Sequence, residues 1–127
     1  MTDYKVKGTD DTPTIELNLS EGSLLIKGRS IVENPSEFYK PLLTHLSKYD
    51  ESPSKKIKVN FQLEYFNTSS SKSILQILKQ LKDLTLTGNT IEIDWYYDEE
   101  DDDILEIGED FSSMVKVPFN LKVISNN

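Results

Sequence analysis

Hydrophobic and polar positions change their period several times along the chain, and each change marks an element. Ile15, Leu17 and Leu19 alternate with Glu16 and Asn18, the period of a half-buried strand. Glu21-Gly22 reads as a tight turn into a second short strand over 23–27. Asn34-Pro35 then places an N-cap residue before a proline suited to the first helical position. Phe38, Leu42, Leu46 and Tyr49 continue it as one apolar stripe, with Pro41 expected to kink the helix or delay its start, and Ser52-Pro53-Ser54 expected to close the run.

The clearest strand spans 56–66: Ile57, Val59, Phe61, Leu63 and Tyr65 are expected on one face, with Lys58, Asn60, Gln62 and Glu64 on the other. A second helix follows, burying Ile74, Ile77, Leu78 and Leu81 and turning Lys72, Lys79 and Lys82 outward, until Gly88-Asn89. Ile91, Ile93, Trp95 and Tyr97 alternate with Glu92 and Asp94 as a further strand. A short acidic helix over 102–111 leads to a last strand, with Val115, Val117, Phe119, Leu121 and Val123 on its apolar face.

The order is ββαβαβαβ, an α/β fold in one domain spanning 1–127. Strand–helix–strand crossovers imply parallel, right-handed pairing after the initial hairpin, hence a mixed sheet. A parallel sheet covered on both faces carries continuous apolar strands. These strands alternate instead, so the helices are expected mainly on one face. Pro118 suits an edge strand.

Composition narrows the function classes. The chain of 127 residues carries a formal net charge of −8, and Arg29 is its single arginine. Nucleic-acid binders gain affinity by neutralising phosphates with Lys and Arg, so this balance argues against one, and against anionic membrane surfaces. No apolar run reaches the roughly 20 residues of a membrane span, and the N-terminus lacks an export pattern. There are no cysteines, which removes disulfides, thiol nucleophiles and thiolate metal sites. A cytoplasmic location is the default expectation.

Catalytic groups are sparse. His45 is the one histidine and sits mid-helix, where a structural role outweighs a nucleophilic pairing. The five glycines form no phosphate-binding loop, and no cofactor is expected. The six acids 98–103 offer oxygen ligands for a divalent cation, and with them the alternative of a metal-dependent enzyme, but not at EF-hand spacing. They also precede a helix, whose N-terminal end favours anions, and a basic protein partner is a further reading.

The segment Tyr65-Phe66-Asn67-Thr68-Ser69-Ser70-Ser71-Lys72 joins the best strand to the second helix, the junction where ligands and functional loops collect in open α/β sheets. One cap residue would suffice here, yet five small polar residues follow one another. The residues alone leave two readings open: capping only, or a phosphate acceptor beside a helix N-terminus that stabilises anions.

A hydroxyl-bearing loop at this place, in this element order, resembles the STAS fold of anti-sigma-factor antagonists. More closely, the chain resembles the SiaC family of bacterial biofilm-regulating phosphoproteins, which are STAS-like. The residues carrying the likeness are Gly8-Thr9, Thr12-Pro13, Glu33-Asn34, Tyr65 with Asn67-Thr68-Ser69-Ser70, and Trp95-Tyr96-Tyr97-Asp98 with Asp101, in order over nearly the whole chain. Asn67 stands where an aspartate is common in anti-sigma-factor antagonists, and the final helix of many STAS domains is expected to be missing or reduced. The Asn67 departure favours the SiaC branch over a partner switch of the anti-sigma type.

The resemblance implies a non-catalytic signalling protein in the c-di-GMP system. Thr68 would be the phosphoacceptor, set by a protein serine/threonine kinase and a PP2C-type phosphatase, and the downstream target would be a diguanylate cyclase bound by the unmodified form. Tyr65, Asn67, Ser69, Ser70 and Lys72 would frame the phospho-loop, while Tyr96, Asp98 and Asp101 are candidates for the partner surface.

Overall fold

The computed structural model describes residues 3–48 and 56–124. Its strands are β1 (Tyr4–Val6), β2 (Thr14–Asn18), β3 (Ser23–Ser30), β4 (Lys56–Phe66), β5 (Thr90–Asp98) and β6 (Phe119–Ile124). Helices α1 (Pro35–Ser47), α2 (Thr68–Leu84) and α3 (Asp102–Val115) join β3 to β4, β4 to β5 and β5 to β6. All six strands form one sheet in chain order. The pairs β1/β2 and β2/β3 are antiparallel, and the remaining three are parallel.

Because the parallel strands march in one direction through right-handed crossovers, all three helices fall on the same face. Burial agrees: Ile57, Val59, Phe61 and Leu63 are buried, while Lys58, Asn60 and Gln62 between them are only half-buried. The mixed α/β sheet with helices on one side is thus present, with one strand more than expected. β1 has three residues, too few to show a period, and exists because Lys5 and its neighbours pair with Ile15–Leu17.

Three expectations about faces and boundaries are corrected. The register of β3 against β4 slips between Gly28 and Arg29, so that Leu63 faces Gly28 and Tyr65 faces Arg29. Glu64 is the extra residue of a bulge, which turns Tyr65 outward (50% exposed) and Phe66 into the core. Second, α3 runs through Val115 and stops at Lys116, which takes a left-handed conformation, so the last strand starts only at Phe119. Its expected apolar face is peripheral: Leu121 and Val123 are exposed because β6 is the sheet edge. Third, Asp94 is buried among lysines rather than lying on a wet face.

In α1 the Asn34 carboxamide accepts from the Glu37 amide, and Pro41 sits inside the helix without ending it. Tyr39, Leu42 and Leu46 form the buried stripe, Phe38 being only half-buried. Tyr49 and Ser52-Pro53-Ser54 lie outside the described residues.

The core centres on Trp95, which is 1% exposed and touches Phe61, Phe66, Phe111 and Phe119 at ring separations of 5.4–6.2 Å. Its indole N–H donates to the Ile104 carbonyl at 2.9 Å, tying β5 to α3. Gly108 allows the helix to lie that close: a Cβ there would stand 2.5 Å from Trp95 Cδ1 and 2.9 Å from Leu121 Cδ2.

Candidate functional site

The parallel strands end at a common rim, and the sequence turns there in a way set by capping. Asn67 follows β4 and caps α2: its Oδ1 accepts from the Ser70 amide at 2.9 Å and from Ser69 Oγ at 3.4 Å. Its own amide N–H donates to the Ser30 carbonyl at 3.1 Å, which fixes the loop to the end of β3. Thr68 is therefore the first helical residue, and it is exposed.

The hydroxyls of this run have different surroundings. Ser70 is fully buried: its Oγ donates to the Ser30 carbonyl at 3.0 Å and accepts from Ser30 Oγ at 2.9 Å. With the Ser30 proton so used, the Tyr39 hydroxyl is the donor in its 2.7 Å contact with Ser30 Oγ. Burial pushes the Tyr39 phenol up to about 12, with the Ser30 hydrogen bond opposing, so it keeps its proton at neutral pH. Ser70 thus supports the loop from inside and presents nothing to a partner, a correction to its place in the expected loop surface. Ser71 Oγ donates to the Thr68 carbonyl at 2.6 Å. Among the described residues only the Thr68 hydroxyl of these four consecutive side chains has no hydrogen-bond partner. Lys72 is exposed on the following turn.

Beside this loop lies an open groove of about 790 Å³ between the ends of β4 and β5 and the start of α3. Its walls include Leu63, Glu64, Tyr96, Tyr97, Asp98 and the acids 100–103. A second depression of about 350 Å³ shares Glu64, Asp101 and Asp103 and continues past Tyr65, Phe66, Ile104 and Ile107. Tyr65, Tyr96, Asp98 and Asp101 are therefore brought together, whereas Thr68, Asn67, Ser69 and Lys72 sit outside the groove walls. Asp101 caps α3, its Oδ1 accepting from the Ile104 amide at 3.0 Å, and Asp98 Oδ1 accepts from the Glu100 amide at 2.9 Å. Among the described residues no three His, Asp or Glu side chains converge as a metal-holding group. His45 packs its ring 5.2 Å from Tyr4, well away from the rim.

Sequence reasoning missed two groups. Arg29, the penultimate residue of β3, has its guanidinium 5.9 Å from the Tyr65 ring centre, a stacking contact created by the β4 bulge. On the helix-free face, Asp94 gathers Lys58 Nζ and Lys122 Nζ at 3.1 Å each and Asn120 Nδ2 at 3.0 Å. Burial pushes this carboxyl up, but the hydrogen bonds from Asn120, Lys122 and Lys58 outweigh it, and it lies below the ordinary aspartate value. Only the lysines at 58 and 122 could have hinted at that cluster, since both alternate onto the same face.

Residues 6–124 match the profile of the SiaC family regulatory phosphoproteins. The chain belongs to the SiaC family. Over 98% of its length it superposes on all of SiaC of Pseudomonas aeruginosa, with a TM-score of 0.88 at 27% identity. The SiaC chain in a crystal structure of the diguanylate cyclase SiaD with its activator SiaC, from the same organism, matches 96% of this chain over its own full length, with a TM-score of 0.88 at 26% identity. An uncharacterized protein of P. aeruginosa strain UCBPP-PA14 is 27% identical over 122 residues, 96% of this chain and 97% of its own. The α/β class and the regulatory phosphoprotein reading stand on these likenesses. Among the described residues no helix is long and apolar enough to cross a membrane.

Proposed function

We propose that this SiaC-family chain is a non-catalytic cytoplasmic switch that binds and activates a diguanylate cyclase when unmodified, and releases it when Thr68 is phosphorylated. A protein serine/threonine kinase and a PP2C-type phosphatase set the modification. The observation that carries the reading is the Thr68 hydroxyl: exposed, free of hydrogen bonds among the described residues and held at the first position of α2, while its neighbours are engaged. The activator role is supported by the likeness to SiaC, whose complex with SiaD is known.

The chemistry follows from charge. A phosphoryl group adds about −1.5 to −2 charges at neutral pH. The N-terminus of α2 stabilises an anion there by only about 0.3–1 kcal/mol. A partner seated over Thr68 must strip water from that dianion, at a cost of several kcal/mol if nothing pairs with it. Even ~3 kcal/mol changes a dissociation constant more than a hundredfold.

The test is c-di-GMP synthesis by the diguanylate cyclase of the source organism, assayed with the unmodified protein, Thr68→Ala and Thr68→Glu, alongside mass spectrometry of the 59–72 peptide from native cells. Stimulation by the unmodified protein and Thr68→Ala but not by Thr68→Glu, with phosphate located on Thr68, is expected. Equal behaviour of both variants, or an unmodified peptide under every growth condition, refutes the switch.

A further inference from the structure

The groove beside the Thr68 loop has the make-up of a peptide dock. Its two depressions share Glu64, Asp101 and Asp103 and so adjoin along the rim, together making up a trough. Leu63, Tyr96, Tyr97 and Ile124 supply an apolar stretch at one end, and Phe66, Ile104 and Ile107 at the other. Tyr65 at 50% and Ile124 at 42% expose far more surface than core residues do. The walls carry Glu64, Asp98, Glu100, Asp101, Asp102, Asp103 and Glu106, against two cations nearby, Arg29 at 5.9 Å from the Tyr65 ring centre and Lys122 at 6.0 Å from that of Tyr96. Among the described residues Glu64, Glu100, Asp102, Asp103 and Glu106 have no ion-pair partner; Lys5, Lys56, Lys58 and Lys122 pair instead with Glu16, Glu92 and Asp94.

We propose that this trough receives a basic, amphipathic segment of a protein partner, its cations on the acidic walls and its apolar side chains on the tyrosine and isoleucine floor. The inference rests on the partner-binding reading above and names the chemistry of that partner's contact. Charge complementarity selects the occupant. A concave, predominantly acidic wall raises the local concentration of an oppositely charged segment and speeds its arrival, and the apolar floor then holds it. A divalent cation does not fit, because no three ligands converge among the described residues. Another copy of this chain does not fit either: its lysine-bearing helix α2 has its apolar face, Ile74, Ile77, Leu78 and Leu81, buried in its own core.

The dock and the switch are separate contacts, since Thr68 lines neither depression. Phosphate on Thr68 deepens the negative field and so does not expel a basic segment from the trough. Release of a partner by phosphorylation therefore acts at the Thr68 contact, with the trough as a tether or first landing place.

The experiment is fluorescence anisotropy of the whole protein with a labelled peptide carrying lysine and leucine at amphipathic helical spacing, against a scrambled peptide of the same composition. The ordered peptide is expected to bind at least tenfold tighter than the scrambled one, and to weaken as ionic strength rises. Asp102→Asn with Asp103→Asn is expected to weaken it at least fivefold. Glu64→Gln with Glu100→Gln, which leaves α3 untouched, is expected to do the same. Removing two acids that line neither depression, Glu21→Gln in the β2–β3 turn with Asp83→Asn near the end of α2, is expected to change it less than twofold. Equal binding of the two peptides, equal losses from trough and distant variants, or peptide displacement on self-association of the protein overturns the dock. Thr68→Glu separates the two claims: it is expected to abolish cyclase stimulation while leaving peptide binding intact. Loss of peptide binding in that variant overturns the separation, whereas unaltered cyclase stimulation refutes the switch alone.

Discussion

Replacing Gly108 by alanine drives a methyl group into a place where α3 touches the sheet without clearance. The new Cβ would stand 2.5 Å from Trp95 Cδ1, 2.6 Å from Trp95 Nε1 and 2.9 Å from Leu121 Cδ2. Comfortable carbon contacts are about 3.5–4.0 Å, so the helix must rise by about 1 Å. Trp95 cannot retreat, because it is 1% exposed and wedged among four phenylalanine rings. Overpacking of this kind costs about 1–3 kcal/mol. Lifting α3 also stretches the indole bond to Ile104, worth about 1 kcal/mol. The better helix propensity of alanine returns about 1 kcal/mol. The expected result is a destabilisation of about 1–3 kcal/mol. Urea unfolding followed by the fluorescence of Trp95, the only tryptophan of the chain, reads it as a lowered midpoint at constant slope. A midpoint that stays or rises would show slack between α3 and the sheet and would refute the close-packing account. Because α3 also bears Asp102, Asp103 and Ile107, the same variant should blunt the peptide dock before it unfolds the protein.

Other outcomes follow from the same geometry. Asp94→Ala leaves Lys58 and Lys122 without their shared anion, and should cost about 2 kcal/mol because both lysines stay partly hydrated. Since the folded-state value of Asp94 is depressed, its contribution is complete above the unfolded value near 3.9 and fades as pH falls through the lower folded value. Thermal melts of wild type and Asp94→Asn should accordingly differ at pH 7, and the difference should begin to shrink only as pH falls below about 4. Ser70→Ala strands the buried Ser30 hydroxyl and should cost about 1–2 kcal/mol in urea unfolding; a neutral result would mean that the Tyr39–Ser30–Ser70 chain is not needed to hold the loop. Asn67→Ala removes the α2 cap and should cost about 1 kcal/mol, with faster amide exchange at Ser70.

The elements that could be read directly were those whose residues report on themselves. The strand at 56–66 shows its face by alternation, and α2 by the spacing of Ile74, Ile77, Leu78 and Leu81. Alternation failed at Glu64 because the bulge answers to β3, a strand more than 30 residues earlier. Glu92 and Asp94 look alike in sequence, yet only Asp94 is buried, because Lys122 and Asn120 reach it from β6. Ser69 and Ser70 are likewise neighbours of the same type, and Ser30, at a separation of 40 residues from Ser70, decides which one is interior. The candidate acceptor Thr68 was marked by its place at the strand–helix junction and by family resemblance, not by any property of threonine.

Thr68 is bracketed by elements that persist only in the native fold: β4 before it, Asn67 anchored to Ser30, and the first turn of α2 after it. A kinase that reads this threonine meets a rigid surface assembled from distant residues, rather than a pliable stretch of sequence. A synthetic peptide of the same residues lacks that surface and would be a poor substrate. Phosphate on Thr68 would then certify that the chain had already folded, so nascent and damaged copies would be kept out of the signalling cycle.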